Sequence, residues 1–184
     1  MQVFLSLLVI IPMVLYVFVS IKGGYKAGLW AAMGSSVFVF FGLYFLTGQI
    51  DETIILEVLL IVLFGLLSLK FKDPVYFKFQ PVVTGALLAL FLAWFQIFST
   101  PYLVLMTKRM APLLPQAESV LQDPRFIPMM GRISHHLIWL LFFHAGFVAY
   151  AALKWRDMSW MFVRLSIFPL LLILFYINAF LFRG

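Results

Sequence analysis

Residues 53–70, TIILEVLLIVLFGLLSLK, form an almost unbroken apolar run that decides the fold of this chain. A helix rises about 1.5 Å per residue, so about 20 such residues cross the ~30 Å hydrocarbon core of a bilayer. Blocks of similar length and composition recur, and together they predict six helices, at 2–21, 26–47, 53–70, 81–106, 133–153 and 158–182. We therefore predict a single all-α, polytopic membrane domain over residues 1–184.

The composition agrees with a lipid-exposed surface. Of the 184 residues, 65% are hydrophobic and only 11% are charged, whereas a soluble domain carries about a quarter charged residues. The net charge of +6 comes from Lys and Arg at the ends of apolar blocks, where they contact phospholipid headgroups. Membrane lipids are therefore the expected partners, and nucleic acid is not. Because the chain has no cysteine, disulfides and thiolate metal sites are excluded.

The predicted connections are short, with one exception. Short links make consecutive helices antiparallel neighbours. The segment 107–132 is longer and combines apolar residues with Pro112, Pro115, Pro124 and Pro128. We predict that this interfacial loop lies on the headgroups, since its apolar residues can enter the boundary of the bilayer.

Two predicted helices carry rows of small residues spaced four apart. Helices in lipid associate where small side chains allow their backbones to approach closely. The rows therefore predict helix packing within the chain, and a homo-oligomer interface is the less favoured alternative. Their members are Gly24, Gly28, Ala32 and Ser36 on the second helix, and Gly85, Ala89 and Ala93 on the fourth.

Few polar side chains lie at membrane depth, and each needs a reason to be there. Glu57 and Arg164 lie about one turn inside their predicted helices, so each can extend to the interface as an anchor. His144 and Gln96 lie near the centres of theirs, which predicts a midplane layer in which a neutral His144 bonds to Gln96. His135 and His136 open the fifth helix.

These six residues are the candidate ligand or lipid contacts. The histidine spacing does not fit a metal site, because His136 and His144 are two turns apart and no carboxylate is near them in sequence. Nucleophile motifs and phosphate-binding glycine loops are absent from the sequence. We therefore predict no catalytic residue, metal or cofactor, and favour a protein that is not an enzyme.

Two stretches resemble the intracellular septation protein A family of small bacterial inner-membrane proteins. The first, 64–81, has a Phe-Gly, an apolar turn, a short loop with Asp73 and then Phe77-Lys78. The second, 132–168, resembles the family's Trp-x-x-Phe-Phe-x-x-x-Gly and Trp-x-x-x-basic arrangement; its matching residues are Trp139, Phe142, Phe143, Gly146, Tyr150, Trp160, Phe162 and Arg164. The chain departs from the family where Asp51 and Glu52 replace a basic loop.

The resemblance implies a multi-pass protein of the bacterial inner membrane that supports envelope integrity and cell division. Its implied partners are the membrane proteins of cell elongation and division, or lipids, and it implies no enzymatic activity. Two alternatives stay open on the residues alone. One is a small membrane enzyme or lipid-handling protein that acts on an anionic headgroup through His144, His135, His136 and Arg164. The other is a transporter or channel subunit with the midplane layer as its pathway.

Overall fold

The computed structural model describes residues 10–47, 52–110, 121 and 123–181. Within these ranges the chain is helical and contains no strand, which confirms the predicted all-α class. We number the helices α1 (Ile11–Thr47), α2 (Glu52–Phe71), α3 (Val75–Phe98), α4 (Tyr102–Met110), α5 (Phe126–Lys154), α6 (Asp157–Leu165) and α7 (Ile167–Leu181).

Five segments of the described chain are long and apolar enough to cross a membrane, compared with six in the prediction. They are Ile11–Phe45, Ile54–Phe71, Val75–Phe98, Phe126–Lys154 and Asp157–Asn178. The protein is therefore a multi-pass membrane protein. The difference in number lies in α1, which covers the first two predicted helices; residues 2–9 of the first prediction lie outside the described ranges.

Helix α1 contains one residue that does not have helical geometry, Gly24, with φ 79° and ψ 164°. Residues that carry a side chain rarely adopt a positive φ, so glycine suits this position. Beyond Gly24 the chain folds back on itself. The close approach of the two arms shows this, since a Cβ built on Gly28 would lie 2.6 Å from the backbone oxygen of Tyr16. In a straight helix these residues would be separated by about 18 Å. The arms 11–23 and 25–47 therefore pack as a helical hairpin.

The helix boundaries differ from the prediction around proline. The fourth predicted helix, 81–106, is instead α3 and α4, separated at Ser99–Pro101. Helix α5 begins at Phe126, seven residues before the predicted 133, so the interfacial loop is shorter than 107–132. Within that loop, 111–120 and 122 lie outside the described residues. The sixth helix is divided at Ser166, since Pro169 cannot donate a backbone hydrogen bond to Leu165.

The chain divides into two compact units. Unit 1 comprises Met1–Thr84 and Phe147–Arg164, and unit 2 comprises Gly85–Gly146 and Leu165–Gly184. In unit 1, three residues of the second arm of α1 are buried, namely Gly28, Ala32 and Ser36, whereas Gly24 at the turn is exposed. In unit 2, a Cβ on Gly85 would lie in ordinary contact with Ala145, 3.6 Å away. The core of unit 2 is formed by Ala89, Leu92, Leu137, Ile138 and Leu141, with Ala93 packed against them.

Large side chains lie on the outside of the described helices. Phe38, Phe45 and Phe143 are 78%, 82% and 73% exposed. In water such a surface would cause aggregation, whereas in a bilayer these side chains contact lipid tails. Small residues at helix contacts allow the backbones to approach closely. Small residues such as Ala32 and Ala89 are buried, together with large ones such as Trp160, Tyr16 and Phe77.

Candidate functional site

Unit 1 contains a buried ion pair between α2 and α6. Arg164 donates from Nη2 to Glu57 Oε1 over 3.1 Å, and the side chains are 16% and 12% exposed. The sequence predicted an interfacial anchor at each residue; the structure adds that the carboxylate and the guanidinium pair with each other. A paired charge avoids most of the cost that an isolated one would carry at this depth.

The carboxylate of Glu57 is also linked to α3. The Thr84 hydroxyl lies 3.4 Å from Glu57 Oε2 and 3.1 Å from the backbone oxygen of Gln80, and donates toward both. Gln80 in turn donates from Nε2 to Thr84 Oγ1 over 3.0 Å. These contacts connect α2, α3 and α6 through one hydrogen-bond network, so removal of any member leaves another without its partner.

A second ion pair joins α3 to α6 nearer the start of both helices. Lys78 Nζ lies 2.6 Å from Asp157 Oδ1, and it donates to the Trp155 backbone oxygen over 3.3 Å. Lys78 is only 6% exposed. Lys78 and Thr84 are about 9 Å apart along α3, which sets the distance between the two ion pairs. Each of the two pairs joins one cation to one anion.

Unit 1 also buries uncharged polar side chains, some of whose atoms have no hydrogen-bond partner among the described residues. Tyr16, Gln80 and Trp160 are fully buried. The Tyr16 ring lies 4.5 Å from that of Phe77 and 6.2 Å from that of Trp160, centroid to centroid. Within the described ranges, Gln80 Oε1 and Trp160 Nε1 have no hydrogen-bond partner, whereas the Tyr16 hydroxyl is near enough to Ser20 to bond to it. Buried polar atoms are normally satisfied, so a water molecule or a small polar ligand can complete this set.

The histidines lie in unit 2, and one of them has a partner that the sequence did not indicate. His136 Nδ1 lies 3.2 Å from Asn178 Oδ1, and Asn178 Nδ2 donates to the Leu174 backbone oxygen over 2.8 Å. Asn178 is 2% exposed. His135 is exposed and stacks at an angle on Trp139, with ring centroids 6.5 Å apart.

The predicted bond between His144 and Gln96 is not formed. Gln96 Oε1 has no partner among the described residues, and Gln96 Nε2 lies 3.9 Å from the Cβ position of Gly131. Gly131 precedes His144 by thirteen residues, or about 20 Å of helix. The two side chains therefore lie at different depths. His144 is half-buried on α5 and makes its interactions elsewhere.

Sequence reasoning found Glu57 and Arg164 but missed most of the network. Lys78 entered the sequence analysis only as part of the 64–81 resemblance, and Gln80, Thr84 and Asp157 were not selected; nor was Asn178, the partner of His136 in unit 2. A usable signal did exist, since a lone Asn or Gln within an apolar block is rare in transmembrane helices. Among the residues that the structure describes, no three His, Asp or Glu side chains are grouped as a metal site would need.

Comparisons with known proteins leave the site to be interpreted from its own geometry. No family model, curated protein or solved structure matches this chain.

Proposed function

We propose that this protein is a non-enzymatic component of the bacterial inner membrane that supports the cell envelope by binding lipids or other membrane proteins. One observation carries the proposal: Glu57 pairs with Arg164 and Lys78 pairs with Asp157, and these two ion pairs join α2 and α3 to α6. A catalytic acid or base must be available to a substrate. Because these charged side chains are occupied in ion pairs between helices, they favour a scaffold over an enzyme.

The envelope role rests on the resemblance of 64–81 and 132–168 to the septation protein A family. The wide apolar surface adds support, because Phe38, Phe143 and Tyr176 are each more than 70% exposed and can contact lipid tails or a neighbouring membrane protein. Lys and Arg at the helix ends supply contacts to headgroups. Proteins of cell elongation and division are the partners that the resemblance implies.

Deletion of the gene from the bacterium that encodes it tests this function. We expect the deletion strain to become sensitive to detergent and to low osmolarity, and to form longer cells. The wild-type gene should restore both properties, and so should Gly34→Ala, which alters an exposed glycine with no neighbour within 4 Å of its Cβ position. A deletion strain with a normal envelope and normal cell length would contradict the proposal.

A second candidate function is the handling of a small polar molecule inside unit 1. The observation that favours it is that Gln80 Oε1, an acceptor, and Trp160 Nε1, a donor, are buried without a hydrogen-bond partner among the described residues. This corresponds to the transporter or enzyme alternatives from the sequence. It differs from the scaffold in requiring these atoms for activity and not for folding.

Gln80→Leu separates the two functions. If unit 1 is a scaffold, we expect a folded protein that restores the deletion strain, with a free energy of unfolding changed by no more than about 1 kcal/mol. The substitution removes the unsatisfied Oε1 together with the bond from Gln80 Nε2 to Thr84 Oγ1, whereas the Thr84 hydroxyl keeps its contacts with Glu57 and the backbone oxygen of residue 80. The measurements are size-exclusion profile in detergent, denaturant titration and complementation. Normal folding without complementation would favour the polar-ligand function instead.

A further inference from the structure

The turn between α5 and α6 carries an open cavity of about 340 Å³, lined by Lys154, Trp155, Arg156 and Ser159. Its position in the membrane follows from the chain, because one candidate span ends at Lys154 and the next begins at Asp157. The cavity therefore lies where a helix leaves the hydrocarbon core and meets the headgroups.

The wall of this cavity carries positive charge that the protein does not neutralise. Lys154 and Arg156 are exposed, and neither forms an ion pair within the described part of the chain. The adjacent carboxylate, Asp157, is held by the buried Lys78 at 2.6 Å. Because Asp157 is already paired, two cations remain available to an anion.

The same contacts fix the shape of the turn. The backbone oxygen of Trp155 accepts a hydrogen bond from Lys78, and its backbone nitrogen donates to Ala151 over 2.9 Å. The Trp155 ring packs edge-on against Phe147 and Tyr150, with centroids 5.6 and 6.1 Å apart. A turn held at both its backbone and its side chain loses little conformational freedom when a ligand binds.

We propose that this cavity binds the phosphate of an anionic phospholipid. Arg156 can donate two parallel hydrogen bonds to phosphate oxygens, Lys154 adds a point charge, and the Ser159 hydroxyl is a further donor. Trp155 suits the glycerol level of the bilayer, where indole rings concentrate. A membrane lipid is favoured over soluble phosphate because the site opens at the interface and is flanked by exposed apolar side chains, including Tyr150 and Leu153. The inference rests on the lipid-binding part of the proposed function.

The test is native mass spectrometry of protein taken from nanodiscs of phosphatidylcholine with and without phosphatidylglycerol. We expect the wild type to retain phosphatidylglycerol in preference to phosphatidylcholine. The variant Lys154→Gln/Arg156→Gln should lower that retention by roughly tenfold or more, since it removes the charge-assisted hydrogen bonds that Lys154 and Arg156 donate to the phosphate. The matched control is Lys70→Gln/Lys72→Gln, which removes the same charge from an exposed turn. It should change retention by less than about threefold, because solvent and salt screen a charge that makes no direct contact with the bound phosphate.

Each other outcome overturns the proposal in a defined way. Equal losses in the two double variants would mean that only general surface charge attracts the lipid. Inorganic phosphate that displaces phosphatidylglycerol at similar concentration would identify the ligand as a free anion. The wild type without lipid preference would exclude the site. If the wild type shows no lipid preference but the deletion strain is sensitive, the lipid site is excluded and the proposed envelope function still holds. If the wild type retains phosphatidylglycerol but the deletion strain is normal, only the proposed envelope function is contradicted.

Discussion

Arg164→Leu is expected to lower the free energy of unfolding by about 3–5 kcal/mol. The substitution removes the guanidinium that lies 3.1 Å from Glu57 Oε1 and leaves a carboxylate that is only 12% exposed without a countercharge. Thr84 alone cannot compensate, because its hydroxyl lies 3.4 Å from the carboxylate and also donates toward Gln80. The measurement is denaturant titration in detergent micelles, with folded yield from size-exclusion chromatography as a second readout.

The double variant Glu57→Leu/Arg164→Leu distinguishes a lost ion pair from lost packing. When both charges are replaced, no unpaired group remains, and we expect most of the stability to return. The control is Lys26→Leu, since Lys26 is exposed and forms no ion pair with the described residues; it should change stability by no more than about 0.5 kcal/mol. A double variant as unstable as Arg164→Leu would show that the pair does not govern the stability of unit 1.

Gly28→Ala is expected to destabilise the protein by about 1–3 kcal/mol, and Gly28→Leu by more. The new Cβ would lie 2.6 Å from the backbone oxygen of Tyr16 and would also meet the Ser20 hydroxyl. A backbone oxygen cannot move without its helix, so the two arms of α1 must separate. Folded yield and denaturant titration in detergent measure the loss.

Gly34→Ala provides the matched control within the same arm. No atom lies within 4 Å of the Cβ position of Gly34, and the residue is exposed. Because alanine favours a helix over glycine by about 1 kcal/mol, this substitution should be neutral or stabilising. Opposite signs at Gly28 and Gly34 would establish close packing of the arms. A similar small effect at both would mean that the arms do not depend on the contact.

The sequence predicted the parts of the candidate site but not how they combine. Glu57 and Arg164 were selected individually, because an ionisable residue in an apolar block is conspicuous. Their pairing could not be predicted, since they are 107 residues apart in sequence and belong to helices whose packing no local pattern encodes. The same holds for Lys78 and Asp157, and for His136 and Asn178, which are 42 residues apart.

The predicted contact between Gln96 and His144 failed for a related reason. Both residues were placed at mid-depth on helices bounded at 81–106 and 133–153, whereas α3 ends at Phe98 and α5 begins at Phe126. Gln96 therefore lies two residues from a helix end, opposite Gly131. Hydropathy could not locate these ends, because apolar residues continue past the break at Ser99–Pro101.

The sequence by itself determined the fold class. Apolar blocks in lipid must satisfy their backbone hydrogen bonds internally, so they form helices whatever their neighbours are. Only the tertiary structure decided that Gly24 folds α1 into a hairpin, which charges neutralise each other, and which cations at the α5–α6 turn remain available. The physical reason is the separation in sequence of the residues that interact. A helix forms through hydrogen bonds between residues four apart, whereas these ion pairs depend on how helices from distant parts of the chain pack against each other.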